Sequence, residues 1–158
     1  MTVRIQTTSR KSPRLSLEVG RAYAAGIVDG EGCIHIARQL HPTSRRGYVY
    51  RMRLSISQNH LATLIDFQSL VGVEGLVYQV NRTSSQNRDS FQLTYDGRKA
   101  PEVIRRVMPY LNRKLSEAQL ALEFESVCEI SRHFGPKGCP DPLWDLRDRY
   151  FRKMQNLK

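Results

Sequence analysis

An α+β fold, a curved antiparallel sheet with helices on one face and a C-terminal helical extension, is predicted by three observations. Helical and strand periodicities succeed one another in the order α-ββ-α-ββ-α before the extension begins. In the second strand Tyr48, Tyr50, Met52, Leu54 and Ile56 alternate with Arg51, Arg53, Ser55 and Ser57, which makes one sheet face apolar and the other polar and basic. At 158 residues the chain is long enough for one domain with a proper core.

The elements follow from local chemistry. Residues 1–14 are rich in Thr, Ser, Arg and Lys and read as a basic, flexible arm, leaving a single domain over 15–158. Leu15 to Asp29 reads as a helix, because Ala22, Ala25, Gly26 and Asp29 follow the helical stripe, and Gly30 and Gly32 stop it. Cys33 to Leu40 is an alternating strand, and turn residues 41–47 lead into the strand Tyr48 to Gln58. Asn59 is positioned to cap a helix from His60 to Val71, closed by Gly72. Shorter strands near Gly75 to Asn81 and Ser90 to Tyr95 flank a polar turn at 82–88. Pro101 opens a helix to about Met108, Pro109 to Asn112 interrupts it, and Lys114 to His133 forms a long amphipathic helix. Gly135 to Pro142 is a loop, and Leu143 to Leu157 is a last, charged helix.

Charge narrows the partners. With 25 Lys and Arg against 15 Asp and Glu the net charge is +10, which favours nucleic acid. A membrane partner is excluded on sequence grounds: no apolar run approaches the ~20 residues that span a bilayer, and no Lys-rich amphipathic helix or lipidation signal is present. Cys33, Cys128 and Cys139 are an odd number without paired spacing, which predicts a reduced, intracellular protein. Cys128, His133 and Cys139 lack both a C-x-x-C pair and a fourth ligand, which argues against zinc.

The densest chemistry lies in Ala24-Ala25-Gly26-Ile27-Val28-Asp29-Gly30-Glu31-Gly32. Small residues climb the helix, so a second helix can approach backbone to backbone, with Ala22, Ala25, Gly26 and Asp29 on the contact face. The helix ends at a carboxylate, where partial negative charge and unpaired carbonyls already gather. Glu31, with the Gly30 carbonyl, is a candidate ligand pair for a hard divalent cation. One carboxylate is a poor cage for Mg2+. Two copies brought together by helix pairing, with substrate phosphates, make a sensible one.

This run resembles the signature of the LAGLIDADG homing endonucleases, with Ala24 for the leading Leu and Glu31 for the second Asp. Pro109-Tyr110-Leu111-Asn112-Arg113-Lys114 resembles the segment that opens the long helix of that family. By element order the resemblance covers about residues 20 to 125; in detail it covers the nine-residue motif and a few later positions. It implies a homodimer for a chain with one motif, Mg2+ as cofactor with Mn2+ as a plausible substitute, and double-stranded DNA as substrate. It also implies a staggered cut in a long, near-palindromic target. Glu31, Gln58 and Lys114 would be catalytic: the acid on the metal, the glutamine ordering water, the lysine offsetting phosphate charge. The further basic residue that family members often carry after the glutamine is not found in Asn59, His60, Leu61 and Ala62, unless His60 fills that role. Two alternatives share the fold, an RNA-binding intron maturase and a non-cleaving DNA-binding regulator. Glu31 and Lys114 speak against the regulator, and the sequence leaves the maturase open. Such enzymes occur in bacterial or phage-infected cytoplasm and in organelles.

The polar sheet face supplies candidates for reading DNA. Arg51, Arg53, Ser55 and Ser57 alternate on the second strand, His35 and Gln39 on the first, Gln92 and Thr94 on the fourth. On the third strand Gln79 and Tyr78 compete for that face. Turn residues Arg45, Arg46, Arg82 and Arg88 are expected on phosphates.

Overall fold

The computed structural model describes residues 3–4, 16–80, 90–132, 134 and 138–158. The elements are β1 (Val3–Arg4), α1 (Leu17–Glu31), β2 (Gly32–Leu40), β3 (Tyr48–Gln58), α2 (Leu61–Val71), β4 (Leu76–Val80), β5 (Ser90–Asp96), α3 (Lys99–Val107), a 3-10 turn (Met108–Tyr110), α4 (Leu115–Arg132) and α5 (Asp141–Asn156). The sheet is antiparallel throughout, in the order β1-β4-β5-β3-β2. The four expected strands form its body. Val3 and Arg4, within the segment read as an arm, pair with Gln79 and Tyr78 along the β4 edge.

The period-2 pattern decides what faces what. Ile34, Ile36, Tyr50, Met52, Leu54, Ile56, Val77, Leu93 and Tyr95 are buried on one face, where α1, α2, α3 and α4 cover them with Ala24, Ala25, Val28, Leu64, Phe67, Val103, Ile104 and Phe124. The other face carries the intervening, mostly polar residues.

Several boundaries move. Helix α1 begins after Ser16, whose Oγ accepts from the Val19 N–H at 3.3 Å, and it runs through Gly30 to Glu31 instead of stopping at Asp29. An interior glycine costs a helix only about 1 kcal/mol, and the turn is closed by the Gly32 N–H donating to the Val28 carbonyl. Gly32 is the true stop. A Cβ there would lie 2.7 Å from the Val28 oxygen, so the chain can leave the helix and enter β2 at once only with glycine. His60, not Asn59, occupies the cap position of α2, without a side-chain bond. Helix α3 starts two residues before Pro101, which the first turn tolerates because its N–H groups have no helical partner. Helix α5 begins at Asp141, two residues earlier than expected.

Helix α5 docks across β2 and α4. Tyr48, Tyr50, Trp144 and Phe151 meet with ring centroids 5.4–6.0 Å apart, and the Tyr50 hydroxyl donates to Asp148 Oδ1 at 2.7 Å. This places the end of α5 near the start of β2.

Candidate active site and nucleic-acid interface

The C-terminus of α1 is where segments distant in sequence converge. Glu31 ends the helix with an exposed side chain. Asp29, two residues earlier, points the other way: its carboxylate accepts the Asn112 N–H at 2.8 Å and the Lys114 N–H at 2.9 Å. Partial burial opposes ionisation there, but the backbone donors of Asn112, Lys114 and Arg113 together hold the carboxyl below its ordinary value. The group therefore does an intramolecular job, fixing the segment that opens α4, where the sequence suggested a role on the contact face. Lys114 follows from that anchoring. Its ammonium donates to the Val28 and Asp29 carbonyls, both at 2.9 Å, joining the Gly32 N–H on the Val28 oxygen and countering the helix dipole. Partial burial, then the neighbouring Arg113, push Lys114 below the usual lysine value.

Gln58 joins them by register. Gly32 pairs with Ile56, so Gln58, half-buried on the helix side of β3, stands two residues past the partner of the residue after Glu31. Gly30 is exposed, with open space above its Cα. Glu31 and the backbone oxygens at this helix end are hard oxygen donors, the set that Mg2+ prefers. Among the described residues no three His, Cys, Asp or Glu side chains gather into a metal-binding group; this site presents a single exposed carboxylate.

The small-residue face of α1 divides in two. Ala24 and Ala25 are fully buried in the chain's own core, so Ala25 is not available for contact with a second helix, contrary to expectation. Helical geometry turns it into the core. Ala22 and Gly26 are exposed, and with them Leu17, Val19 and Tyr23 at 65%, 52% and 57%. Above Gly26, as above Gly30, there is no atom within 4 Å of where a Cβ would stand.

The open sheet face has ordered rows. One joins His35, Arg53 and Asp96, a second Cys33, Ser55, Thr94 and Leu76, a third Ser57, Gln92 and Tyr78. The register thus places Tyr78, and not Gln79, on this face. Arg51 is exposed at one end, with Gln39 partly exposed. Arg53 is committed to Asp96, with Nε on Oδ1 at 2.7 Å and Nη2 on Oδ2 at 3.1 Å. Gln92 Nε2 donates to Ser57 at 3.5 Å, and the Tyr78 hydroxyl donates to Gln92 Oε1. Ser55 and Thr94 are each only 8% exposed. They lie on the open face, as the alternation predicts, as short side chains on its floor between longer neighbours.

Arg45 and Arg46 also have partners that the sequence did not suggest. Both bind Asp141, Arg46 at 2.8 Å, and Arg46 reaches Asp145 at 3.5 Å while lying 5.6 Å over the Trp144 ring. They tie the β2–β3 turn to the start of α5. Arg82 and Arg88 lie outside the described residues.

One contact was missed entirely. The Lys158 ammonium donates to Cys33 Sγ at 3.0 Å, across 125 residues of sequence, and Cys33 also lies 3.7 Å from His35 Nδ1. His35 first, then Lys158, lower the thiol to about 7 against the effect of burial. No local signal in the sequence links the two ends of this pair.

With that geometry in place, comparison with known proteins is informative. Residues 24–131 match the family model for LAGLIDADG endonuclease. No curated protein matches the chain. Among solved structures it is similar to the homing endonuclease I-CvuI, at 19% identity and a TM-score of 0.73, over 92% of this chain and 85% of that one. An archaeal intron-encoded homing endonuclease complexed with DNA gives 12% identity and a TM-score of 0.72, over 89% and 85%. The meganuclease I-SmaMI bound to DNA gives 14% and 0.64, over 85% of this chain but 44% of its own. At these identities the likeness speaks for the fold, and the family model spans more than half of the chain. A motif helix that ends at Glu31, a sheet with one open polar face and a lysine seated on the helix carbonyls are thus the parts of a chain that belongs to the LAGLIDADG endonuclease family.

Proposed function

We propose that the protein is a site-specific homing endonuclease that works as a homodimer, making a staggered double-strand cut in a long, near-palindromic DNA target by Mg2+-dependent hydrolysis. The observation that carries this reading is the exposed Glu31 carboxylate at the end of α1, with the Lys114 ammonium held on the Val28 and Asp29 carbonyls beside it. A protein that only bound DNA has no use for a carboxylate aimed at a phosphate backbone.

The dimer is supported by α1 itself. Val19 and Tyr23 are exposed apolar side chains on the same helix face as Ala22, Gly26 and Gly30, whose small size lets a second copy of the helix come close. Crossing there brings two Glu31 side chains together. The chain accounts for 44% of I-SmaMI, so two copies match the length of that enzyme. A two-fold axis in the protein calls for a target with matching symmetry.

In the proposed mechanism the open sheet face lies in the major groove, with Arg51, Gln39 and His35 available to base edges and Arg53 and Gln92 already oriented by Asp96 and Tyr78. Glu31 and the Gly30 carbonyl would hold the cation. Mg2+, when bound, lowers the pKa of a water and offsets charge on the phosphate oxygens; Mn2+ supplies similar chemistry. Lys114 keeps a fixed positive charge at that place, and Gln58 orders water beside it. I-CvuI has been crystallised on DNA in the presence of Mg, uncleaved, and of Ca, which is consistent with use of a divalent ion. Selection of cleaved sites from a random DNA library tests this reading. Near-palindromic sites, cut only with Mg2+ or Mn2+, are expected; recovery of no cleaved site, or of cleavage that persists in chelator, overturns it.

A further inference from the structure

Lys158 lies just past α5, where the Leu157 N–H donates to the Lys153 carbonyl at 3.2 Å and the Lys158 N–H to the Gln155 carbonyl at 3.4 Å. The chain therefore continues the line of the helix, and the docking of α5 through Trp144, Tyr50 and Met154 aims it at the start of β2. There its ammonium meets Cys33. Cys33 belongs to the open-face row that also holds Ser55 and Thr94, and it is two residues beyond Glu31. Glu31 ends α1 and Gly32 opens β2, so the sulfur that Lys158 touches is the first side chain of the open face after the motif carboxylate.

Its two companions are held differently. The Lys114 ammonium is bound by two helix-end carbonyls, strong acceptors already carrying partial negative charge. Lys158 is exposed and has one sulfur as the partner at its ammonium, a weak acceptor as a thiol and, where Cys33 is ionised, a single acceptor atom against the several oxygens of a phosphate. A phosphate oxygen gives a charge-assisted bond roughly twice as strong as a neutral one. An arriving phosphate therefore outcompetes Cys33 for Lys158, but not the helix end for Lys114.

We propose that Lys158 is a second phosphate-binding cation of the cleavage site, held on Cys33 in the free protein and transferred to a backbone phosphate next to Glu31 when DNA seats on the sheet. The proposal rests on the endonuclease reading for its substrate.

The test compares the full chain with Lys158→Gln and Lys158→Arg in three measurements. Affinity for a random-sequence DNA duplex is titrated between about 50 and 200 mM salt, single-turnover cleavage is timed on a selected target, and the melting temperature is recorded. Loss of one phosphate contact per subunit flattens the slope of log K against log salt by about 0.9 per subunit. We expect that change for Lys158→Gln, a cleavage rate at least about tenfold lower, an unchanged melting temperature, and recovery of the slope in Lys158→Arg. A wild-type slope in Lys158→Gln overturns the proposal. A lowered melting temperature with an intact slope does so too, by showing that Lys158 only pins the end of α5. If the wild-type chain cuts nothing, the endonuclease reading fails, while the salt slope still decides the role of Lys158.

Discussion

The end of α1 and the β2–β3 turn both join the chain to distant segments through charged side chains, and they do so by opposite means. At α1 a half-buried carboxylate meets backbone N–H groups, and a half-buried ammonium meets backbone carbonyls. At the turn, exposed Arg45 and half-buried Arg46 meet the exposed Asp141 and Asp145 of α5. In the first case each charge answers backbone groups at a helix end, where helical partners run out. In the second, both partners have water as an alternative, and the net gain is small. The comparison teaches that the charges to watch in this protein are those that face backbone, not those that face one another.

Substitutions sharpen the contrast, and the largest effect belongs to Asp29. Asp29→Ala leaves the Asn112 and Lys114 N–H groups without their acceptor and frees the segment that seats Lys114. A loss of about 3 kcal/mol is expected in urea unfolding, because bonds to a charged group contribute about 1.5–3 kcal/mol each and do not add fully. Next comes Gly32→Ala, in which a Cβ placed 2.7 Å from the Val28 oxygen forces the helix end apart. Its cost, about 1–3 kcal/mol, is read as a lower unfolding midpoint, and displacement of Lys114 is read as a drop in cleavage rate.

Tyr50→Phe tests the docking of α5. Removing the hydroxyl costs about 1 kcal/mol and changes the pH profile as well. The Tyr50 hydroxyl, aided by Arg152 and opposed by burial, holds the Asp148 carboxyl below its ordinary 3.8. A carboxyl depressed in the folded state contributes stability above its unfolded value and loses it as pH falls through the folded value. The wild type should therefore lose this contribution below about pH 4, and Tyr50→Phe should show a shallower acid limb in pH-dependent melting. The smallest effect is expected for Arg45→Ala, less than about 1 kcal/mol. A loss of 2 kcal/mol or more there would contradict the contrast drawn between the two regions.

The same contrast explains what could be read from the sequence. The strand alternation at Tyr50 to Ser57 predicts both sheet faces, since burial follows period 2, and the motif places Glu31 at a helix end. What escaped reading depends on contacts between segments far apart. Nothing near Asp29 says that its partners are at Asn112 and Lys114, so it looked like part of a contact face. Ala25 is as small as Ala22, and only the helix's rotation over the sheet tells which of the two is buried. Asp96 orients Arg53, and Lys158 reaches Cys33, through cross-strand register and helix docking. Neither leaves a local pattern.

The central claim is that Glu31 is half of a cleavage centre and is not needed to hold DNA. The measurement that tests it most directly sets DNA affinity beside single-turnover cleavage for wild type and Glu31→Gln on a selected target with Mg2+. The account predicts affinity within a few-fold of wild type and cleavage slower by on the order of a thousandfold. Cleavage by Glu31→Gln at a rate near that of wild type would contradict it.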